Sequence, residues 1–236
     1  MISYLPARTI GRVLGACVVF LAIAHVLSLL VHDVTDTKVS ELLVEKFSVD
    51  LEHNFPTHFT SMVLFISSLL FSVIGVGEKK SAGAAQSRYW FGLSLIFLFL
   101  SFDESAHIHE HFDGVMRAVG VKTTGYLAWP WVIAYGSLVV VFILAYLRFW
   151  IRLPASFRIA YLLSGAVYVG ASLGFELLEA QDYVANSGLY TVKYMVYTSI
   201  EEVLEMSAIS YLVYTNLRYM AANYPELRLS FSLHKS

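Results

Sequence analysis

Three runs of residues in this chain have the types and spacing to do chemistry. The densest is Asp103-Glu104-Ser105-Ala106-His107-Ile108-His109-Glu110-His111. On one continuous helix, at 100° per residue, Glu110, Asp103, His107, His111 and Glu104 fall within an arc of roughly 120°. His109 and Asp113 point the other way. Glu104 and His107 have the Glu-x-x-His spacing by which one helix gives two ligands to one metal ion. Carboxylate with imidazole suits zinc, iron or manganese. The bland alternative is a solvated helix end whose charges face water.

The second run is Glu201-Glu202-Val203-Leu204-Glu205, with Glu201 and Glu205 one turn apart on a face shared with Tyr194 and Tyr197. Three carboxylates this close in an apolar segment cannot all ionise easily without cations. Either they lie inside a helix, or Glu201 or Glu202 marks the start of a shorter one. The third run is Glu176-Leu177-Leu178-Glu179, with Ser172 and Tyr183 near the same face. Asp103, Glu104, His107, Glu176, Glu201, Glu202 and Glu205 are therefore the expected metal ligands, with His25, Glu110, His111 and Glu179 as further candidates.

The elements that must position these groups are transmembrane helices. The composition is 57% hydrophobic and 14% charged, with mean hydropathy +0.63. An ordinary soluble domain carries about 25% charged residues. The net charge of −2 and the lack of a basic stripe give no footing for nucleic acid. The single cysteine, Cys17, excludes an intrachain disulfide and cysteine-based zinc or iron–sulfur sites. A span needs about 20 mostly apolar residues. Six segments qualify, near 11–32, 58–77, 89–111, 129–151, 159–179 and 194–216, and predict one all-α polytopic bundle. Arg8 and Arg12 ahead of the first apolar run resemble a signal peptide, but the run continues through Leu30 and reads as an uncleaved helix.

Charge sets the expected orientation. Arg8, Arg12, Lys79, Lys80, Arg88, Arg148, Arg152, Arg158, Arg218, Arg228 and Lys235 all fall on one side of a six-helix arrangement. Cytoplasmic loops are enriched in Lys and Arg, so both termini are expected in the cytoplasm. Every acidic residue except Glu78 and Glu226, and every histidine except His234, then lies on the outer side or in the outer half. Counting about 1.5 Å of rise per residue from the cytoplasmic ends, Asp103, Glu104, Glu201, Glu202 and His25 sit roughly 21 Å up. Glu176, His107, Glu179 and His32 lie roughly 4–10 Å higher. Carboxylates and imidazoles from four helices thus converge in two adjacent layers. His25 alone is equally well read as a hydrogen-bonded core histidine.

In the outer loops, Ser40 to Phe47 reads as a short amphipathic helix lying on the membrane surface or capping the bundle. Pro56-Thr57 reads as a helix start with Thr57 as its cap. His53 and His58 are either ordinary interfacial residues or groups that close over the site. No internal repeat or low-complexity segment is found. The stretch Phe47 to Ser61, with Asn54-Phe55-Pro56-Thr57, and Leu100-Ser101-Phe102-Asp103-Glu104 followed by His109-Glu110, resembles a widespread group of uncharacterised bacterial membrane proteins. Those carry Asn-Ile-Pro-Thr-Trp and Leu-Ser-Leu-Asp-Glu stretches. Glu201-Glu202 through Glu205-Met206 is similar to that group as well, whereas Phe55 and His58 replace its usual Ile and Trp. The resemblance implies a bacterial inner-membrane protein and no particular activity.

The expected function is a divalent-metal site for zinc, iron or manganese facing the periplasm, with metal-dependent hydrolysis of a lipid-like or other small-molecule substrate as one chemistry. A proton- or cation-coupled transporter uses the same carboxylates differently. No inverted repeat supports that alternative. A non-catalytic subunit stabilised by the cluster is the third reading, and buried charge is a poor stabiliser. Haem ligation by His25 and His32 is disfavoured by the acidic surroundings. The lipid bilayer is the expected partner. The orientation has a direct check. A reporter active only in the cytoplasm should be active when fused after Ser236, and activity of a periplasm-only reporter there would reverse the topology.

Overall fold

The structure is a computed structural model that describes residues 6–81 and 83–224, without the side chains of Lys80 and Glu110. Arg228 and Lys235, counted in the charge asymmetry, lie outside the described residues, as do Glu226 and His234. Eight α-helices account for nearly all of the rest: α1 (Ala7–Thr35), α2 (Lys38–Phe47), α3 (Phe55–Ser81), α4 (Ala84–Ala106), α5 (Ile108–Ala118), α6 (Trp131–Arg152), α7 (Ala155–Ala185) and α8 (Val192–Asn223). A 3-10 turn, Gly125–Leu127, precedes α6. The all-α architecture follows the hydropathy pattern, and α2 falls where the amphipathic stretch was expected.

Four helices, α1, α3, α6 and α7, are long and apolar enough to cross a membrane. A fifth span results if α4 is counted with the segment His111–Ala118, to which it is bent by 93°. α8 has the length but carries too much polarity to pass as an apolar span. It packs on α1, α3 and α7. Its buried positions Tyr194, Thr198, Glu201, Glu205, Ala208 and Leu212 recur at helical spacing. α6 is the opposite case, apolar and exposed over most of its length, as a lipid-facing helix should be.

α3 and α4 are joined by a seam of serines. Ser61 Oγ donates to Ser101 O at 2.8 Å and Ser101 Oγ returns a bond to Ser61 O at 2.9 Å. Ser68 Oγ donates to Ser94 O at 2.7 Å, and Ser87 Oγ to Gly75 O at 2.7 Å. The serines of α4, Ser87, Ser94 and Ser101, recur every seventh residue, and each meets a position of α3 spaced the same way. A seven-residue period keeps one face of each helix against the other. Small side chains let the backbones approach, and such interhelical bonds contribute about 0.6 kcal/mol each in a membrane.

At the arginine-bearing end the core is aromatic. Trp90, fully buried, packs on Tyr219 and Phe149 at ring separations of 4.9 and 5.1 Å. Glu78, buried there, accepts from Tyr219 Oη at 2.8 Å. Gly92 on α4 admits the Tyr146 hydroxyl of α6 to 2.2 Å from where a Cβ would stand, so any larger residue would displace the Tyr146 side chain.

Two expectations need correction at the other end. The third predicted helix is not continuous through residue 111. It ends at Ala106, His107 adopts a left-handed backbone (φ 51°), and α5 starts at Ile108. The cause is local: Asp103 Oδ1 accepts the His109 N–H at 2.9 Å, offering that amide an alternative to the helical ladder. The start of α3 is also capped differently. Asn54, not Thr57, is the cap: its Oδ1 accepts the Thr57 N–H at 3.2 Å while its Nδ2 donates to Ser48 O at 2.6 Å. Asn54 therefore fixes both the helix start and the preceding loop. Asn54→Ala should lower the melting temperature in detergent by the equivalent of about 1–2 kcal/mol. Thr57→Val, which keeps the N–H, should cost visibly less.

Candidate functional site

The loop that Asn54 holds carries Glu52 and His53 to the break between α4 and α5. Glu52 Oε1 lies 2.6 Å from His107 Nδ1. The His53 and His107 rings lie 5.0 Å apart between centroids, tilted by 56°. One ligand atom from each of Glu52, His53 and His107 lies within 4.8 Å of the others. Among the described residues this is the group of three or more acidic, histidine or cysteine side chains that meets that spacing. Both histidines hold left-handed backbones, φ 58° at His53 and 51° at His107. Such conformations persist where the surroundings impose them and cluster at functional sites. His107 is buried, Glu52 half-buried and His53 exposed, so the group opens to water on one side.

Beneath it lies a layer of carboxyl groups. Asp103, buried, accepts from Tyr135 Oη at 3.0 Å and lies 3.4 Å from His109 Nδ1. Glu104 is an electrostatic neighbour of Asp103, Glu202 and Glu205. Glu205 is in hydrogen-bonding reach of Ser172. Glu179 is in reach of Glu201, Thr198 and Tyr194, and Glu176 lies near Glu201. Tyr168 of α7 stands among Asp103, Glu104, Glu202 and Glu205. Asp50, in the same loop as Glu52, is the third-dimension link: it neighbours both Glu179 and Glu202. It meets water on one side while protein crowds the other, and the loss of hydration pushes its carboxyl up to about 6.

Helices α4, α7 and α8 thus bring Asp103, Glu104, Glu176, Glu179, Glu201, Glu202 and Glu205 into one neighbourhood. The helix start is settled by Thr191, whose hydroxyl accepts the Tyr194 N–H at 3.0 Å, so all three α8 glutamates lie well inside the helix. The anticipated Glu104-x-x-His107 ligand pair is not formed as such, because the break at His107 turns its imidazole toward Glu52. Of the predicted ligands, His107 alone enters the three-residue group. His25 spends both ring nitrogens on protein: Nδ1 accepts the Val49 N–H at 3.2 Å and Nε2 lies 2.9 Å from Ser199 Oγ. It is a satisfied core histidine joining α1, α8 and the Asp50 loop. His111 turns its Nδ1 onto His107 O at 2.7 Å and is exposed. Glu110 has no described side chain. His58 is exposed and takes no part in the group.

Sequence reasoning missed Glu52 and Tyr168 and gave His53 only as one of two readings. The signal for Glu52-His53 was its place directly before the Asn54 cap, where the backbone must turn. Tyr168 carries no local signal, being one of 15 tyrosines in an aromatic-rich chain.

Comparison with curated proteins and with solved structures finds no match. A family model instead matches nearly all of the bundle, from the first turns of α1 to the last turn of α8. The match covers residues 11–219, and the chain belongs to the family described as Domain of unknown function (DUF8692).

Proposed function

We propose that this integral membrane protein holds one divalent cation on Glu52, His53 and His107 at its outer mouth and uses it for metal-dependent chemistry. The observation that carries the reading is the meeting of two imidazoles and a carboxylate within 4.8 Å. A tetrahedral ion with bonds of about 2.0–2.2 Å spaces its ligands roughly 3.4 Å apart, within reach of this group. Two histidines and a glutamate are a catalytic rather than a closed set, because they leave a position for water. An ion there lowers the pKa of its water to about 7. Asp103 and Glu104, one turn below His107, are placed to take up the released proton. The site lies where water and hydrocarbon meet, which suits hydrolysis of a lipid-like substrate. Zinc, iron and manganese all accept these ligands.

In this reading α1, α3, α4, α6, α7 and α8 all span a bacterial inner membrane, with both termini in the cytoplasm and the cation site toward the periplasm. The Lys and Arg asymmetry supports that orientation. One observation favours a second reading, a proton-coupled carrier: Glu179 and Glu201 are in hydrogen-bonding reach of each other, and two carboxyl groups bond only by sharing a proton.

The two readings separate on metal content. Elemental analysis of the detergent-purified protein should find one transition metal per chain. A ligand at a hundred times its Kd adds about 2.7 kcal/mol, so chelator should lower the wild-type melting temperature by several degrees. Glu52→Gln and His53→Ala should arrive metal-free and be indifferent to chelator. Glu201→Gln should keep its metal. A metal-free, chelator-insensitive wild type, together with a stabilised Glu201→Gln, would overturn the metal site in favour of the proton-coupled carrier.

A further inference from the structure

A groove of about 710 Å³ runs between α1 and α8, on the face away from the carboxyl layer's α4 side. Small residues of α1, Gly11, Gly15 and Ala22, form its floor, and Val203, Tyr211 and Tyr214 of α8 its wall. A volume of 300–1,000 Å³ is the range of ligand pockets. From Arg8 to Ile23 the groove extends along α1 for roughly 22 Å, at about 1.5 Å per residue. One leaflet of a hydrocarbon core about 30 Å thick is roughly 15 Å deep. The groove therefore matches an extended acyl chain entering from one leaflet.

The entrance is cationic. Arg8 and Arg12 line the groove itself, and an adjoining recess of about 630 Å³ is lined by Arg8 and Arg218. Among the described residues no carboxylate pairs with these three guanidinium groups. Arg218 rests on the rings of Phe157 and Tyr214, at 5.8 and 5.6 Å, which holds it at the groove rim.

The antiparallel register sets the depth of the groove. Gly11 packs against Tyr214, with 3.1 Å from its Cβ position to the ring, so Gly15 stands one turn deeper, below the arginine rim.

We infer that this groove binds one anionic phospholipid, its phosphate on Arg8, Arg12 and Arg218 and an acyl chain along the glycine floor. A second copy of the chain docked here by two-fold symmetry would set arginines against arginines. An ordinary boundary lipid needs no cationic rim.

Native mass spectrometry of the full chain in detergent tests this with dioleoyl phosphatidylglycerol and dioleoyl phosphatidylcholine, which share their chains. Wild type should retain one phosphatidylglycerol with about tenfold preference. Gly15→Leu, where an added Cβ meets nothing within 4 Å, should fill the groove and abolish retention of both lipids. Arg12→Gln should remove the preference but keep chain binding. Arg8→Gln should do the same at unchanged melting temperature, and the two arginine variants carry the test if Gly15→Leu fails to fold. Equal retention of the two lipids by wild type, or indifference to both Gly15→Leu and Arg12→Gln, would reduce the groove to boundary lipid. A lipid-free dimer would assign it to a second copy.

Discussion

An ionised side chain near the middle of a bilayer costs at least about 2.5–3.5 kcal/mol, and α8 places Glu201, Glu202 and Glu205 within little more than one turn. That cost decides where α8 must stand. It cannot face lipid, so it is enclosed by α1, α3 and α7, and the apolar helices take the outside. The same constraint recruits partners for each acid: Ser172 for Glu205, Thr198 and Tyr194 for Glu179, Tyr135 for Asp103. The hydrogen-bonded carboxyl layer and the lipid-facing α6 are two consequences of one solvation term.

The bundle is consequently asymmetric along its axis. The half that carries the Glu52 loop is built from acids, imidazoles and hydroxyls held by a capped loop, and it opens to water at Glu52, His53 and His107. The arginine-bearing half is aromatic, packed around Trp90, with Glu78 tied to Tyr219. A polar half can rearrange protons or accept an ion. A half packed ring on ring admits neither water nor ions readily. The polar groups are thereby confined to one end of the bundle, and the groove between α1 and α8 is the separate feature that opens at the arginine-bearing end.

Much of this was legible from residue order. Long apolar runs announce themselves because the bilayer demands length, and six of them marked α1, α3, α4, α6, α7 and α8. The gathering of acids from α4, α7 and α8 followed from depth along those helices. What depended on tertiary partners did not show. The break at His107 comes from an Asp103 side chain competing for a backbone amide and from Glu52, 55 positions earlier in the chain. His25 looked like a ligand because Val49 and Ser199, which satisfy it, are distant in sequence. The seven-residue spacing of Ser87, Ser94 and Ser101 was present in the letters but invisible to a search for charge and hydropathy.

The serine seam also bears on how the chain enters its membrane. α3 and α4 are consecutive, antiparallel and joined by a tight turn at Gly83, and each serine pair cancels two exposed hydroxyls at once. Separately, either helix would expose those hydroxyls to hydrocarbon. Together they form a hairpin whose polarity is internal to the pair. That spacing suits entry of α3 and α4 into a membrane as one unit rather than as two independent helices.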